Sequence, residues 1–502
     1  MEDRELSLQF YHYVCCIVGS DEVVKARRKV FMALDYVLEN IQQTFISSGS
    51  KAEGLDLEGS DYDLMIVDKN VSVYESIHDV SSSLHELTLV MDTTDTKPGF
   101  TKLKVYETSE RYLPLLAKWC ELFQLGSYVS NNLFRKYVLS QGDDELIVHG
   151  PCVTSKYKTF DLAYSFRCKK WVKPGKKWKF RSKSAWPDYE LTQSIVQYGI
   201  LFVPIGSKGS VDEDLEWRIS FSVAERLLIY SFSHTQLVCY ALLKILLKDF
   251  IKQEHYDLIC SYFLKTIMFW LCEESSPIKW KPENLETCFM SCWRRLIYCV
   301  EYETCIHYFI PDNNLFEGRF SPIQHKSLLD TLYGIYRSPW NYVFHSITFE
   351  NYRRVHENSF EPYLTTSSLT CLHYSVVLLK SISPSLSIKQ VVTRTVNLQD
   401  KHLSTYLLSL LATGSMQNQD HQYLEGRNKD FYRQYQIMLR YFKTGVYSSS
   451  VHAWILLASL FYKCGRYREC IDIVIYSLSK CTPDKILMSL KNDIKLKACF
   501  KN

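Results

Sequence analysis

The sequence predicts an α+β protein of more than one domain, on three observations. Its 502 residues exceed what a single hydrophobic core organises. Short runs rich in Val, Leu, Tyr and Phe crowd the first 225 positions, and beyond them long apolar periodicities of helical type take over. Composition fits a chain folded nearly end to end: 46% of residues are hydrophobic and 14% aromatic, with no low-complexity tract.

At the start, Leu6, Phe10, Val14 and Ile17, then Val24, Val30, Leu34, Val37 and Ile41, recur at helical spacing. Residues 3–43 therefore read as a long scaffolding helix, kinked at Gly19-Ser20-Asp21, where Ser20 or Asp21 caps the second segment. Strands follow at "YDLMIVD" (62–68), "LTLVMD" (87–92), "FTKLKVYE" (100–107) and "TFDLAYSFRC" (159–168). "RYLPLLAKWCELFQLGS" (111–127) and "NNLFRKYVLSQ" (131–141) read as helices. Residues 1–225 thus form a mixed lobe, 226–345 a helical one and 346–502 a further helical region. Near its end Trp454, Leu457, Ala458 and Phe461, a turn at Gly465, and Cys470 and Val474 fit a tetratricopeptide-like hairpin, with an unrelated helical bundle as the alternative.

Neither a secretory signal nor a membrane span is expected. The N-terminus lacks a basic leader and apolar core, and the run "LVCYALLKILL" is broken by Lys244 and is too short to span a bilayer. Seventeen cysteines never form a CxxC pair, so reduced thiols in the cytoplasm are expected. Cys288, Cys292, Cys299 and Cys305, with His307 nearby, match no common zinc spacing and read as buried thiols, a metal site being the alternative. The net charge of +4 is modest, but eight of the fifteen residues from 169 to 183 are Lys or Arg. Lys169, Lys170, Lys173, Lys176, Lys177, Lys179 and Arg181, interleaved with Trp171, Trp178 and Phe180, form either a solvated loop or a surface for a phosphate backbone.

The chemistry concentrates in "ISSGSKAEGLDLEGSDYDLMIVD", residues 46–68. Residues i and i+2 of a strand share a face, so Asp61 and Asp63 point together while Tyr62 and Leu64 turn into the core. Two such carboxylates repel unless a cation relieves them. Gly49 allows close backbone approach to phosphate oxygens and Ser50 adds a hydroxyl donor. Taken alone, the stretch is either a turn with an edge strand or a metal and triphosphate site. Asp161 on a neighbouring strand offers the third carboxylate that two-metal nucleotidyl transfer needs, though an isolated Asp at a strand start is usually a turn residue.

With these residues in place, the sequence resembles the metazoan cGAS-like receptors, the nucleotidyltransferase family of cyclic GMP-AMP synthase and its relatives. The likeness rests on "GS" (49–50), "DYDLM" (61–65), "DLAYSFRCKKW" (161–171), "EWRISFSVAE" (216–225), "SYFLKT" (261–266) and "HYFIPDNNLF" (307–316), in that order. It suggests an invertebrate member with a tetratricopeptide-like extension. The resemblance implies a bilobal enzyme with a long spine helix and an active site between the lobes. It implies magnesium or manganese on Asp61, Asp63 and Asp161, and ATP and GTP as substrates of cyclic dinucleotide synthesis in innate immunity. Arg218 would lie against a base by cation–π contact, Ser220, Ser222 and Glu225 would line the nucleotide site, and Lys265 would reach the triphosphate. The His and Cys zinc insertion that the family's vertebrate DNA sensor carries after the segment equivalent to "WRISFS" is missing, so no zinc is expected, and double-stranded RNA is the favoured activator over DNA. The base-stacking tyrosine falls near Trp293–Arg295. The C-terminal region lies outside the resemblance and suits a protein partner. A catalytically silent adaptor and a linear nucleotide polymerase are the rival readings.

Overall fold

The computed structural model describes residues 2–57, 59–80, 86–123, 126–142, 146–156, 160–183, 186–276, 279–356, 393–400 and 452–479, with short helical pieces at 403–404, 407–408, 435–436 and 439. The chain divides into two compact units, one of Met1–Asp35 and Glu39–Arg354, the other of Tyr36–Leu38 and Val355–Asn502. Among the described residues no helix is long and apolar enough to cross a membrane.

The first helical stretch is two helices, α1 (Glu2–Val18) and α2 (Asp21–Leu38). Gly19 takes φ +103° and the Ser20 side chain accepts from the Val23 amide, so the expected break is a full stop followed by a capped restart. The helical pattern does not run on to 43. The Asn40 side chain accepts from the amides of Gln42 and Gln43 and turns the chain into a strand, β1 (Gln43–Ser48), leaving Ile41 82% exposed.

A one-turn helix, α3 (Gly49–Ala52), leads to β2 (Tyr62–Tyr74), β3 (Leu87–Asp92) and β4 (Phe100–Thr108). Next come α4 (Leu113–Trp119), β5 (Cys120–Phe123), β6 (Gly126–Val129), α5 (Asn131–Ser140), β7 (Leu146–His149), β8 (Cys152–Ser155) and β9 (Phe160–Cys168). The segment 111–127 is thus helical only over its first half. From Cys120 the chain enters a hairpin that pairs on β4. After α6 (Lys176–Phe180) and α7 (Tyr189–Tyr198) come β10 (Ile200–Val203), β11 (Glu216–Ser220) and α8 (Ser222–Tyr230).

The sheet runs β1-β2-β3-β4-β11-β10-β9-β8-β7, and an additional β2–β9 pairing closes six of these strands into a circuit. The length of β2 makes this possible: Tyr62–Val67 pairs with β9, and after a register shift Val71–Tyr74 pairs with β3. Its inward side chains meet an aromatic core. Phe166 stands 5.0 Å from Trp217 and 5.2 Å from Phe134, each ring contributing about 2–3 kcal/mol of burial.

The bundle follows: α9 (His234–Leu246), α10 (Lys252–Glu254), α11 (Ser261–Glu274), α12 (Leu285–Glu301), α13 (Pro322–Arg337), α14 (Pro339–Phe344) and α15 (Ile347–His356). Helix α9 starts on a Ser233–Gln236 capping box and is buried on nearly every face, which explains its continuous apolar sequence. Cys288, Cys292, Cys299 and Cys305 are buried and free, the Cys292 thiol against the Met268 thioether.

In the second unit, Leu457, Leu460 and Phe461 of a helix at His452–Lys463 pack with Cys470 and Ile473 of a helix at Tyr467–Ser479, and Gly465 takes φ +70° between them. Val474, expected inside, is 38% exposed, because Ile473 takes the inward place. Much of the remaining 346–502 region lies outside the described residues.

Candidate active site

Three carboxylates converge where β2 begins beside β9. Parallel pairing sets Asp63 directly opposite Asp161, and Asp61 stands one residue before the strand. One oxygen from each of Asp61, Asp63 and Asp161 lies within 4.8 Å of the others, close enough for one or two divalent ions. Tyr62 and Leu64 between and beyond them are each 1% exposed, the Tyr62 hydroxyl 3.0 Å from Ser47 Oγ, so the strand cannot rotate the acids away. Burial, then the charges of Asp61 and Asp161, push the Asp63 carboxyl up to about 8, against the pull of Lys244 and Lys265. Acids this close cannot all ionise without a counter-cation, and that is the charge pattern a hard-cation site presents.

Gly49 lies against this cluster. Its φ is +69°, and a Cβ there would fall 1.6 Å from Asp63 Oδ2, so no other residue fits. The turn from Gly49 to Gly54 is clamped from outside. Arg27 donates to Gly54 O (3.1 Å), Arg28 to Glu53 O (2.9 Å) and Tyr230 to Ala52 O (2.9 Å). The buried Arg28 guanidinium also reaches the Ile229 and Tyr230 carbonyls, so helix α2 ties the Gly-Ser turn to the end of α8.

Two buried ammonium groups face the acids from the bundle. Lys244 on α9 donates to the Ser50 hydroxyl, and burial lowers its pKa although Glu53 opposes the shift. Lys265 on α11 sits 2.6 Å from Glu53 and 3.2 Å from Glu225. Burial works against its charge, yet the two carboxylates outweigh it and raise its pKa.

Arg218, exposed on β11, stands in the field of a second pair. His307 Nδ1 accepts from the Phe309 and Ile310 amides at 3.1 and 3.0 Å, which places the ring proton on Nε2, donating to the Tyr262 hydroxyl at 2.7 Å. Burial, then Arg218, hold this imidazole neutral with its pKa down at about 3.

Ser220 is half-buried at the end of β11, whereas the Ser222 hydroxyl donates to the Met65 thioether. His149 Nδ1 lies 3.9 Å from Asp161. Trp293, in the segment expected to supply base stacking, is fully buried with its indole donating to Leu332 O, and Arg295 pairs with Glu274. The aromatic ring that shares the field of Arg218 and Glu225 is Tyr262.

In the basic segment Lys169, Lys170, Lys173, Lys176 and Lys177 are exposed, Lys170 pairing with Asp79 and Lys177 with Asp312. Lys179 is half-buried, 5.3 Å from the Phe180 ring. Arg181 turns inward, bidentate on Glu273 at 2.6 and 2.8 Å and 4.2 Å over the Trp270 ring. Trp171 and Trp178 pack on each other at 5.2 Å, Trp178 fully buried. Both rings are framework, not stacking platforms, and the exposed charge is carried by lysines.

Comparison with known proteins agrees with this architecture. The Mab-21 protein nucleotidyltransferase domain matches residues 74–231, and the Mab-21 protein HhH/H2TH-like domain matches residues 236–333, together just over half of the chain. The chain belongs to the Mab-21 family. Cyclic GMP-AMP synthase of Sus scrofa is 28% identical over 151 residues, 26% of this chain and 30% of that protein. The Mus musculus protein of the same name is 29% identical over 142 residues, 25% of this chain and 28% of that protein. The chain thus spans under a third of the length of these curated relatives. Of the site, Asp161, Arg218 and Glu225 fall in the Mab-21 nucleotidyltransferase match, Lys244, Tyr262, Lys265 and His307 in the Mab-21 HhH/H2TH-like match. Asp61 and Asp63 precede both, and strand register alone joins them to Asp161.

Sequence reasoning missed Lys244, Glu53, Tyr262 and His307. Lys244 did leave a signal, a single cation inside an otherwise apolar helix buried all round. Glu53 left none, because Lys265 is distant in the chain, and His307, noted beside the cysteines, gave no local sign of its pairing with Tyr262.

Proposed function

We propose that the protein is a cytoplasmic, divalent-metal-dependent nucleotidyltransferase, using magnesium or manganese, that joins ATP and GTP into a cyclic dinucleotide and releases pyrophosphate. Its activator is nucleic acid, double-stranded RNA in preference to DNA, and its setting is innate immune signalling. The observation that carries this is the convergence of Asp61, Asp63 and Asp161, their repulsion unrelieved by any side chain strong enough to keep the Asp63 pKa low. The donor set, all oxygen, half-buried and mutually repelling, fits hard divalent cations. Bound there, such ions neutralise phosphate charge and favour deprotonation of an acceptor hydroxyl.

Each side chain then has a task. Asp61 and Asp63 hold both ions, and Asp161 holds one and faces the acceptor hydroxyl. Gly49 lets the turn lie against the phosphates, and Ser50 with Lys244 receives them. Arg218 covers a base by cation–π contact, with Ser220, Ser222 and Glu225 along the nucleotide site. Residues 1–225 serve as the nucleotidyltransferase core, 226–345 as its helical lobe, and 346–502 as a tetratricopeptide-like region for a protein partner. The exposed lysines from 169 to 177 meet the activator's phosphates, a surface that suits duplex RNA read by shape.

The test is incubation of the pure protein with labelled ribonucleoside triphosphates and magnesium or manganese, with and without duplex RNA or DNA. A phosphatase-resistant dinucleotide is expected. Long phosphatase-sensitive chains would indicate a linear polymerase, and no product under any ligand a silent adaptor. Asp61→Asn with Asp63→Asn must abolish product, and surviving activity would overturn the site.

A further inference from the structure

His149 stands beside the acid triad and has no part in the chemistry above. Its Nδ1 lies 3.9 Å from Asp161 Oδ2, the imidazole 61% exposed and the carboxylate 16%. Strand register explains the approach. In the β7–β8 hairpin His149 pairs with Cys152, and β8 in turn pairs Thr154 with Asp161 of β9. Paired residues share a face, as do residues two apart on one strand, so His149, Cys152, Thr154 and Asp161 look the same way. The Cys152 thiol accordingly lies in the field of Asp161, Asp63 and Asp61.

The hairpin is an anchored arm. Its turn is Gly150-Pro151, Gly150 taking φ +57°, and Gly150 O accepts from the Arg135 guanidinium of α5 at 2.9 Å. Arg135 is itself held by Asn131 Oδ1 at 2.8 Å. Asn131 is fully buried, and its side chain donates to Glu213 O at 2.6 Å and Glu216 O at 2.8 Å. The backbone that carries the imidazole is therefore tied to the core, while the ring stays open to solvent.

Spacing and donor type both suit a shared ion. A hydrogen bond between imidazole and carboxylate needs about 3.2 Å or less, so at 3.9 Å the two do not satisfy each other directly. Metal–ligand bonds of about 2.1 Å put two donors of one ion at most about 4.2 Å apart, and this pair falls inside that limit. Magnesium takes oxygen donors, whereas imidazole is a ligand of transition-metal ions.

We propose that His149 is a fourth protein ligand: with Asp161 it holds one divalent ion in a mixed nitrogen–oxygen position that prefers manganese to magnesium. The inference rests on the metal reading of the acid triad and narrows its cofactor.

The test is pulsed electron paramagnetic resonance on the full-length protein with substoichiometric manganese and inorganic triphosphate, a phosphate probe that carries no nitrogen. Echo modulation from a directly bound nitrogen is expected in wild type and is lost in His149→Ala and His149→Gln. Competition titrations give a second readout. His149→Ala should lower manganese affinity about tenfold or more, since even groups that only support a ligand cost that much, and leave magnesium affinity within about threefold. The ring is exposed, so both variants should keep the wild-type melting curve in the absence of metal. No nitrogen modulation in wild type, or modulation that survives in His149→Ala, overturns the proposal. An equal loss of affinity for the two metals overturns it too. Asp63→Asn separates this failure from that of the site itself. Manganese that binds wild type, is lost in Asp63→Asn and shows no nitrogen coupling removes His149 alone from the site. Manganese binding unchanged in Asp63→Asn means that the triad holds no metal, and both readings fall.

Discussion

Replacing Gly49 by Ala tests the metal site through its tightest contact. The added Cβ would start 1.6 Å from Asp63 Oδ2, and real contacts do not fall below 3.0 Å, so the oxygen must retreat by about 1.4 Å. The strand cannot follow, because Tyr62 and Leu64 are locked in the core, so the carboxylate swings out of the triad. The backbone adds its own cost: an alanine at φ +69° loses about 1–2 kcal/mol relative to glycine. Gly209 separates the two effects. It takes φ +77° with nothing within 4 Å of its would-be Cβ, so Gly209→Ala carries the backbone cost without the clash. Both variants should melt a few degrees lower, by roughly 2–4 °C per kcal/mol for a unit this large. Only Gly49→Ala should lose about 100-fold in turnover, the penalty of an ångström's misplacement, together with the stabilisation that magnesium gives in thermal denaturation. If Gly49→Ala keeps wild-type turnover and the full magnesium shift, Asp63 does not work where it stands and the site is wrongly built.

Three further outcomes follow from named groups. With metal chelated, the Asp63 carboxyl, pushed up to about 8, binds its proton more tightly folded than unfolded, so its stabilisation is complete at low pH and is lost as pH rises to about 8. His307, held at about 3, acts oppositely, its cost appearing as pH falls below about 6.5. Between pH 6.5 and 8 only the first slope should operate, at up to ~1.4 kcal/mol per unit, and it should vanish in Asp63→Asn or on adding magnesium. A flat profile for the chelated wild type in denaturant titrations contradicts the repulsion. Tyr262→Phe strands the His307 Nε2–H and should cost about 1–3 kcal/mol in the same titrations, and no loss would reject the assigned tautomer. Changing exposed Lys169, Lys173 and Lys176 to Glu should weaken duplex RNA binding and flatten its dependence on log salt by about 0.9 for each phosphate that the protein ceases to neutralise. An unchanged slope moves the nucleic-acid surface elsewhere.

What was legible in the sequence was local. Strands β2, β3, β4 and β9 announced themselves by β-rich runs between turns, and Asp61 and Asp63 by the two-residue period of a strand. The choice of Asp161 as third acid needed only one further step, that two such strands pair, which the register supplies. Errors arose where a distant partner overruled a local pattern. Ile41 sustained the helical period until the Asn40 side chain captured two amides and made β1. Trp178 and Arg181 read as part of a solvated loop or a nucleic-acid surface because nothing nearby reveals that Phe309 packs on Trp178 and that Tyr308 and Glu273 hold Arg181 half-buried. Lys265 is expected from the resemblance to reach the triphosphate, and nothing local shows that it also pairs with Glu53, more than two hundred positions away.

The charges at the junction of sheet and bundle also constrain the order of events. Asp61, Asp63, Asp161, Glu53 and Glu225 set five carboxylates against the ammonium groups of Lys244 and Lys265, and Lys265 is committed to two of them. A nucleoside triphosphate arriving alone would bring more negative charge into a field already negative enough to hold a proton on Asp63 near neutral pH. Divalent cations, which Asp61, Asp63 and Asp161 would hold, would reverse that sign and neutralise phosphate charge. On the proposed function, nucleotide and metal binding should therefore be strongly cooperative, each raising the affinity for the other by the same factor. Neutralising Asp63 alone should loosen this coupling while it weakens the metal site. In Asp63→Asn the metal-free affinity for the triphosphate should match wild type at neutral pH, where Asp63 already holds its proton, and exceed it above about pH 8, while the enhancement by magnesium shrinks, measured by calorimetry with a non-hydrolysable analogue. A magnesium enhancement as large as that of wild type would mean that the acids do not sense the nucleotide at all, and the charge argument for the site would fall with it.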